Sequence, residues 1–325
     1  MGNLLMLVGG FLLSFILVMI AMPKAIPFLH KMKFGQVERE EGLESHKKKQ
    51  GTPTMGGVIF IIAGLIGGLV ANFSNITNPA IIIISIVLIG YGAIGFIDDA
   101  LIVLKHQNQG LKAWQKFVLQ AILAIIAYCY LYKFVPGFTT LVNIPIVNVK
   151  IDLGHFYAVL VFIMFTGESN GVNLSDGLDG LACGLSMVAI APYVIFAIMT
   201  KDYAVAAYAT AMIGALLGFM FFNYHPAKIF MGDVGSLSLG GFLAILAILT
   251  KQELLLILVG FVFLMETLSV IIQVVSFKTT GKRVFKMAPI HHHFEMLGWS
   301  EQQVTVTFWF IGFVAGILAI VIGVL

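Results

Sequence analysis

Residues 79–99 read PAIIIISIVLIGYGAIGFIDD, an uncharged apolar run that ends at Asp98 and Asp99. About 20 apolar residues, at about 1.5 Å of helical rise each, cross a hydrocarbon core of about 30 Å. The stretch therefore predicts a transmembrane helix that ends at a pair of carboxylates. The whole chain shares this composition, because 59% of its 325 residues are hydrophobic and 11% are charged, with a mean hydropathy of +1.00. Soluble domains have about 45–50% apolar and about 25% charged residues, so the sequence predicts an integral membrane protein.

The rest of the chain supplies similar apolar segments, and we predict an all-α membrane protein with about ten transmembrane helices in one domain, 1–325. The segments are 3–22, 55–72, 79–97, 114–132, 155–169, 181–200, 203–222, 235–250, 254–276 and 304–325. The segment 155–169 is the shortest, and such a length also suits a re-entrant or tilted helix. Residues 134–153 alternate apolar and small polar residues and predict a short external β-hairpin. Part of 277–303, around Lys282–Met287, has the composition of an amphipathic interfacial helix beside the histidine run.

The basic residues predict the orientation of these helices, because Lys and Arg are retained on the cytoplasmic side. Of the 19 basic residues, the loops of one side hold only Lys133, Lys150, Lys201 and Lys251. The other loops are therefore expected in the cytoplasm, and both termini on the periplasmic or extracellular side. Basic loops beside the inner leaflet favour anionic headgroups and phosphorylated substrates.

Polar residues that are typical of functional sites collect in four breaks between the apolar segments, all on this cytoplasmic side. The breaks are Asp98 with Asp99, the run 173–180, Asn223 with Asp233, and His291 to His293. We therefore expect a cytoplasmic active-site cleft. Two adjacent aspartates stand about 100° apart on a helix, so they suit a divalent cation, or one metal ligand and one base. The alternative is that they are solvated residues that end a helix.

The middle two breaks each allow a functional and a plain interpretation. The run 173–180 combines Asn, Ser and Asp with glycines, which brings backbone N–H groups close to a phosphate or sugar; it also suits a simple turn. Asp176 and Asp179 would share one face if the run is helical. Asp233 lies between glycines at a helix start, where it would bind a metal or phosphate, or only favour the helix dipole. Phe230 suits an interface anchor or a stacking platform for a base.

The histidine run is not a typical zinc site, because zinc sites use thiolates or spaced histidines. Mg²⁺ prefers oxygen ligands, which the aspartates provide. His291 and its neighbours are then interpreted as phosphate or pyrophosphate contacts, or as proton carriers, rather than as metal ligands. Glu266, deep in the helix predicted over 254–276, is expected to face the bundle interior, because a lipid-facing carboxylate is costly.

Together, these strings resemble one enzyme family. The strings are GTPTMGG at 51–57, FIDD at 96–99, NLSDGLDG at 173–180, KIFMGDVGS at 228–236 and APIHHHFE at 288–295. In this order they resemble the phospho-N-acetylmuramoyl-pentapeptide transferases, within the polyprenyl-phosphate N-acetylhexosamine-1-phosphate transferases. The first and last strings are more similar to this muramoyl-peptide branch than to the N-acetylglucosamine branch.

The resemblance implies a Mg²⁺-dependent reaction at the inner leaflet of a bacterial cell membrane. UDP-N-acetylmuramoyl-pentapeptide and undecaprenyl phosphate give lipid I and UMP, in the membrane step of peptidoglycan synthesis. The resemblance also implies a homodimer, and no nucleic-acid partner is expected. Direct attack by the lipid phosphate and a covalent aspartyl intermediate both remain open.

The family roles carry over to matching positions. Asp233 would bind Mg²⁺; Asp98 would orient or deprotonate the lipid phosphate, and Asp99 would assist it or the metal. The substrate contacts implied are His291 and His292 for the pyrophosphate, Lys49 and Lys116 for phosphate charge, Asn173, Asp179 and Phe230 for the uridine, with Phe230 stacking on uracil, Asp176 as a further substrate-binding residue, and Asn223 and Gln273 in the cleft.

Two other functions agree with parts of the sequence. A secondary transporter also uses carboxylates in a helix bundle, but it predicts a site near the bilayer midplane and a repeat between the two halves. The charges here collect on one side, with only Glu266 placed deep, and no clear repeat is visible. A sister transferase that uses UDP-N-acetylglucosamine is the nearer alternative, and donor selectivity would separate the two.

Overall fold

The computed structural model describes residues 2–32, 49, 51–105, 110–147 and 149–325. The basic residues Lys33, Arg39, Lys47 and Lys48, which contribute to the predicted orientation, lie outside this part of the chain. The helices are α1 (Gly2–Lys31), α2 (Gly57–Ala71), α3 (Pro79–Lys105), α4 (Ala113–Phe134), α5 (Tyr157–Ser175), α6 (Leu181–Met199), α7 (Tyr203–Asn223), α8 (Gly232–Leu249), α9 (Leu256–Val259), α10 (Phe261–Thr280), α11 (Ile290–Met296) and α12 (Glu301–Val324). The strands are β1 (Leu141–Ile144) and β2 (Val149–Asp152).

The helical architecture agrees with the prediction of a mainly α-helical membrane protein. Within the described residues, eight helices are long and apolar enough to cross a membrane, by length and composition. Helix α2 is apolar but has only 15 residues. The predicted hairpin is present, since β1 and β2 pair antiparallel with Leu141 opposite Asp152.

Helix α8 lies at the centre of the bundle and is the most buried of the eight apolar helices. It packs against α3 and α5, while α7 packs against α1, α2 and α6. Glycines permit the closest contacts: a Cβ on Gly95 of α3 would lie 2.1 Å from the carbonyl oxygen of Asp233, and one on Gly57 would lie 2.4 Å from the backbone nitrogen of Gly235. Backbones therefore meet directly at the start of α8, which fixes where its first residues lie.

Three boundaries differ from the sequence prediction. Helix α3 continues past Asp98 and Asp99 to residue 105, and the two residues are only 4% and 6% exposed, so the alternative that they are solvated residues ending a helix is wrong. Helix α5 extends through the polar residues to Ser175, and the turn at 176–180 means that Asp176 and Asp179 do not share a helix face. The amphipathic helix expected around Lys282–Met287 is absent from these described residues, and the short helix between α10 and α12 is α11, which the histidines themselves form.

Candidate active site

Asp233, in the first turn of α8, is contacted by side chains from neighbouring helices. Lys116 of α4 donates from Nζ to Asp233 Oδ2 at 2.5 Å, and Asn173 of α5 donates from Nδ2 to Oδ1 at 2.7 Å. Lys116 Nζ also lies 3.3 Å from Asp98 Oδ2, and Asn173 Nδ2 lies 2.9 Å from Ser236 Oγ. Residues distant in sequence thus converge on one carboxylate, which remains 22% exposed.

The two adjacent aspartates of α3 have different partners. Asp99 accepts hydrogen bonds from the backbone N–H groups of Asp233 at 3.2 Å and of Val234 at 3.1 Å. It therefore caps the start of α8, where N–H groups lack partners within the helix and the dipole favours negative charge. Asp98 accepts instead from the backbone N–H of Leu111 at 2.8 Å, which holds the α3–α4 connection beside Lys116. Asp98 therefore contacts Lys116 beside Asp233, whereas Asp99 holds the backbone of Asp233 and Val234.

The chemistry of this group fits a hard divalent cation. Asp98 and Asp233 offer carboxylate oxygens around one ammonium group, that of Lys116. Asn173 adds an amide that holds the Asp233 carboxylate in place. Mg²⁺ is bound in proteins through one or two carboxylates together with phosphate oxygens and water. The donor set, and the exposure of Asp233, match that requirement.

A second charged group surrounds Asp179, at the start of α6. Lys49 donates to Asp179 Oδ1 at 2.7 Å and also pairs with Glu301. Asp179 Oδ2 accepts from the backbone N–H of Ala227 at 2.9 Å and lies 3.0 Å from His225 Nδ1. Burial alone would raise the pKa of Asp179, but the hydrogen bond and the charge of Lys49 outweigh it and hold the pKa below its ordinary value.

Lys49 also links this group to the aromatic residue that was expected to stack on a base. Its Nζ lies 5.9 Å from the centroid of the Phe230 ring. Burial lowers the pKa of Lys49, but the carboxylates of Glu301 and Asp179 raise it by more, so the pKa lies above its ordinary value. Lys49 is therefore held as a cation between two carboxylates and beside an aromatic face.

Asp176 lies between the two charged groups; its backbone N–H donates to the carbonyl oxygen of Asn173, but its carboxyl group makes no hydrogen bond or ion pair with any residue in the described ranges. Removal from water raises its pKa well above the ordinary value, and the charges of Asp233 and Asp99 act in the same direction, against Lys49. A carboxyl group without a partner at this place is free to meet a ligand.

The histidines of α11 each have a carboxylate partner or a backbone partner. His291 is buried and pairs through Nδ1 with Glu266 of α10 at 3.1 Å, which confirms that Glu266 faces the bundle interior. His292 Nδ1 lies 2.8 Å from Glu295, and the rings of His291 and His292 are 4.1 Å apart. His293 Nδ1 accepts a hydrogen bond from the backbone N–H of Lys286 at 3.1 Å.

Asn223 and Gln273, expected to line the cleft, use their amides to hold backbone. Asn223 donates to the carbonyl oxygen of Ile229 at 2.9 Å and is 2% exposed. Gln273 accepts from the N–H groups of Val284 and Phe285 and donates to the carbonyl oxygen of Phe285. These contacts fasten the segments that precede Asp233 and α11.

Two residues of the site were missed in the sequence. His225 lies beside the Asp179 carboxylate, and Glu301 accepts a hydrogen bond from the backbone N–H of Asp179. Glu301 lies in the first turn of α12, after the N-cap residue Ser300, where the helix dipole already favours an acidic residue. Ligand atoms of Asp179, His225 and Glu301 lie within 4.8 Å of one another. Lys49 already contacts both carboxylates, so we describe this group as an ion-pair network.

Comparison with known proteins identifies the family. Residues 80–251 match Glycosyl transferase family 4, and residues 49–61 match signature 1 of the phospho-N-acetylmuramoyl-pentapeptide-transferases. The chain is 50% identical over 310 residues to the phospho-N-acetylmuramoyl-pentapeptide-transferase of Halalkalibacterium halodurans, with 95% of each chain covered. It is also 50% identical to the proteins of the same name from Shouchella clausii and Bacillus thuringiensis, with 96% of each chain covered. The chain therefore belongs to the phospho-N-acetylmuramoyl-pentapeptide-transferase family.

Proposed function

We propose that the protein transfers phospho-N-acetylmuramoyl-pentapeptide from its UDP-linked form to undecaprenyl phosphate, giving lipid I and UMP. The observation that carries the proposal is the convergence of Asp98, Lys116 and Asn173 on Asp233. Phosphoryl transfer depends on positioning and charge stabilisation rather than on covalent chemistry of many residues. Carboxylates and one lysine, grouped at the end of apolar helices, would position and stabilise the phosphate charge of a soluble substrate and of a lipid substrate.

In this proposal each residue has a limited task. Lys116 neutralises phosphate charge, and Asp98, beside it, orients the lipid phosphate or accepts its proton. Asp99 holds the start of α8, and Asn173 holds the Asp233 carboxylate, so that the carboxylate keeps one orientation. Asp233 would hold Mg²⁺ against the pyrophosphate of the nucleotide sugar, and the ion would supply positive charge to the transferring phosphoryl group.

The nucleotide half of the donor is assigned to the second charged group. Phe230 offers a face for uracil, with Lys49 nearby for a phosphate. Lys49, His225 and the backbone of Ala227 occupy three of the roughly four acceptor positions of the Asp179 carboxylate, so uridine would bind through the remaining position on Oδ1 or in exchange for one of these contacts. His291 and His292 would contact the pyrophosphate. Asp176, whose carboxyl group has no partner among the described residues, would meet the sugar or the ribose.

The proposal also includes the membrane arrangement. The site would face the cytoplasm at the inner leaflet of a bacterial membrane, with both termini on the other side, since the basic residues concentrate in the loops on the site's side. A homodimer belongs to the proposal as well, and mass measurement of the protein in detergent tests it. Cysteine accessibility on either side of sealed vesicles tests the orientation.

The experiment is donor-dependent UMP release by the purified protein in detergent. The protein is incubated with undecaprenyl phosphate, Mg²⁺ and either UDP-N-acetylmuramoyl-pentapeptide or UDP-N-acetylglucosamine, alongside Asp233→Ala. Asp152→Asn, which removes an exposed carboxylate from the hairpin, is the matched control. UMP from the muramoyl donor alone, lost in Asp233→Ala and kept in the control, is expected. Release from the other donor would assign the sister activity, and no release from folded protein would favour transport.

The chemical route is tested with the lipid acceptor omitted. A covalent aspartyl intermediate at Asp98 or Asp99 predicts about one UMP per protein in a rapid burst without acceptor. Direct attack predicts no UMP until undecaprenyl phosphate is added. Because Asp98 is tied to Lys116 while both oxygens of Asp99 bind backbone N–H groups, Asp98 is the better placed of the two to meet a phosphate.

A further inference from the structure

Glu266 has no task in the proposed reaction, yet it forms a buried pair with His291, which has one. The side chain of Glu266, on α10, is 0% exposed, and that of His291, at the start of α11, is 1% exposed. Glu266 Oε1 lies 3.1 Å from His291 Nδ1, and Oε2 lies 3.5 Å from the backbone nitrogen of the same residue. One carboxylate thus faces both the ring and the backbone of one histidine.

The other ring nitrogen of His291 has no such partner. Nε2 is buried and makes no hydrogen bond within the described residues. The neighbouring backbone is Gly177, where a Cβ would lie 2.4 Å from Nε2, so the missing side chain leaves the ring its space. A buried polar atom without a partner is costly and uncommon in a folded protein. Here it lies at the turn that also carries Asp176 and Asp179, within the proposed donor site.

We propose that Glu266 is a positioning residue that keeps the proton of His291 on Nδ1 and turns Nε2 toward the bound diphosphate. The carboxylate accepts from Nδ1–H, and when the diphosphate is bound Nε2 takes a proton from solvent and donates it in a hydrogen bond to a phosphate oxygen, with Glu266 offsetting the positive charge of the ring in that state. The groups that face the ring are Glu266 from α10, His292 on its own helix and the turn with Asp176 and Gly177. The inference rests on the proposed function, because it needs a diphosphate in the site.

The direct perturbation is Glu266→Gln, which keeps the volume but removes the charge. In the carboxamide one of the two oxygens is replaced by an NH2 donor, which would face either the ring Nδ1–H or the backbone N–H, so the two contacts that separate oxygens now make cannot both be kept as they are. We expect kcat for UMP release to fall by about 10–100-fold, the usual effect of removing a carboxylate that orients a histidine. His291→Ala should reduce kcat by at least as much. Thr267→Val is the matched control, since among the described residues its hydroxyl bonds the carbonyl oxygen of Phe263, in the same helix, and no other group.

A double-mutant cycle separates positioning from a structural role. If Glu266 acts through His291, the double variant should be no slower than His291→Ala alone. A further drop by the full factor of Glu266→Gln would overturn the proposal, as would wild-type kcat in Glu266→Gln when His291→Ala is impaired. Glu266→Asp keeps the charge and should fall between wild type and Glu266→Gln, which covers the case in which Gln prevents folding.

Nitrogen NMR of the labelled histidine gives a readout that does not depend on turnover. In protein without diphosphate, His291, assigned through His291→Gln, should carry its proton on Nδ1 in the wild type and show mixed tautomers in Glu266→Gln. An Nε2-protonated neutral ring in the wild type would overturn the inference even if the enzyme is active. If wild-type protein releases no UMP from either donor, the proposed function has failed, whereas the tautomer measurement still reports on the pair.

Discussion

Gly95 and Gly92 lie one helical turn apart on α3 and should respond to alanine in opposite ways. A Cβ on Gly95 would lie 2.1 Å from the carbonyl oxygen of Asp233 and 2.4 Å from the nitrogen of Val234. Both are backbone atoms, so no side-chain rotation relieves the contact. A Cβ on Gly92 would meet nothing closer than Ile61 at 3.6 Å, which is ordinary van der Waals contact. Both glycines are buried in the same helix, so the difference between the two alanine variants reports the backbone contact at Gly95.

The magnitudes follow from two opposing effects. Glycine to alanine in a helix interior is favourable by about 1 kcal/mol, through propensity alone. At Gly92 that effect stands nearly unopposed, so Gly92→Ala should leave stability unchanged or raise it. At Gly95, overpacking costs typically about 1–3 kcal/mol and more where the backbone must move. The net loss should lower the midpoint of thermal unfolding by a few degrees, at roughly 2 °C per kcal/mol in a large domain.

The same displacement should reduce activity, because α8 carries Asp233. Moving α8 away from α3 lengthens the hydrogen bonds that Asp99 accepts from Asp233 and Val234. We therefore expect Gly95→Ala to lose UMP release by about tenfold or more even below its unfolding temperature, as misplacement of about 1 Å can do. Intrinsic fluorescence in detergent and UMP release measure the two effects. Equal behaviour of Gly95→Ala and Gly92→Ala would refute the claim that backbone contact at this crossing positions Asp233.

Further substitutions test the roles of individual charged groups. Asp99→Asn should lower stability by about 1–2 kcal/mol in thermal unfolding, because an amide has one acceptor oxygen for two N–H groups; unchanged stability would contradict the capping role. Lys116→Ala should slow UMP release by about 100-fold at saturating Mg²⁺, since it removes the ammonium group beside Asp98 and Asp233; a loss confined to the KM for Mg²⁺ would contradict it. Because the pKa of Asp176 is raised in the folded protein, stability falls as the pH rises from the unfolded pKa of about 4 toward the folded pKa; Asp176→Asn should therefore unfold at a higher temperature than wild type at about pH 8, and the difference should shrink toward about pH 4. A constant difference across this range would contradict the raised pKa.

Apolar periodicity located the helices, but it misjudged where they end near the site. Asp98 and Asp99 look like a helix end in sequence, yet α3 continues for another turn and more. The reason is that Asp99 exchanges water for the backbone N–H groups of Asp233 and Val234, which satisfy its carboxylate inside the protein. Such a partner, distant in sequence, cannot be inferred from composition around the helix end.

In the segment before the histidines, the sequence predicted a helix that the structure does not contain. Around Lys282–Met287, the mixture of basic and apolar residues suits an interfacial helix, but no helix forms there. Gln273, on α10, bonds the backbone N–H groups of Val284 and Phe285 and so takes the place of helical hydrogen bonds. The grouping of polar breaks in one site was predicted because membrane topology gathers them on one side. The pairing of Lys49 with Glu301 was not, because Glu301 has an ordinary reason to begin a helix.

The run NLSDGLDG at 173–180 connects the parts of the site, because α5 ends within it. Asn173 is still helical and reaches Asp233, while Gly177, in the turn, lies against His291. Asp179, near the start of α6, holds Lys49. In a continuous helix, residues three and four apart would lie on one side. Because the helix changes to a turn here, Asn173, Gly177 and Asp179 contact different partners. A single short segment therefore sets the relative positions of the proposed metal, diphosphate and nucleotide contacts, so a change in its length should disturb all three together.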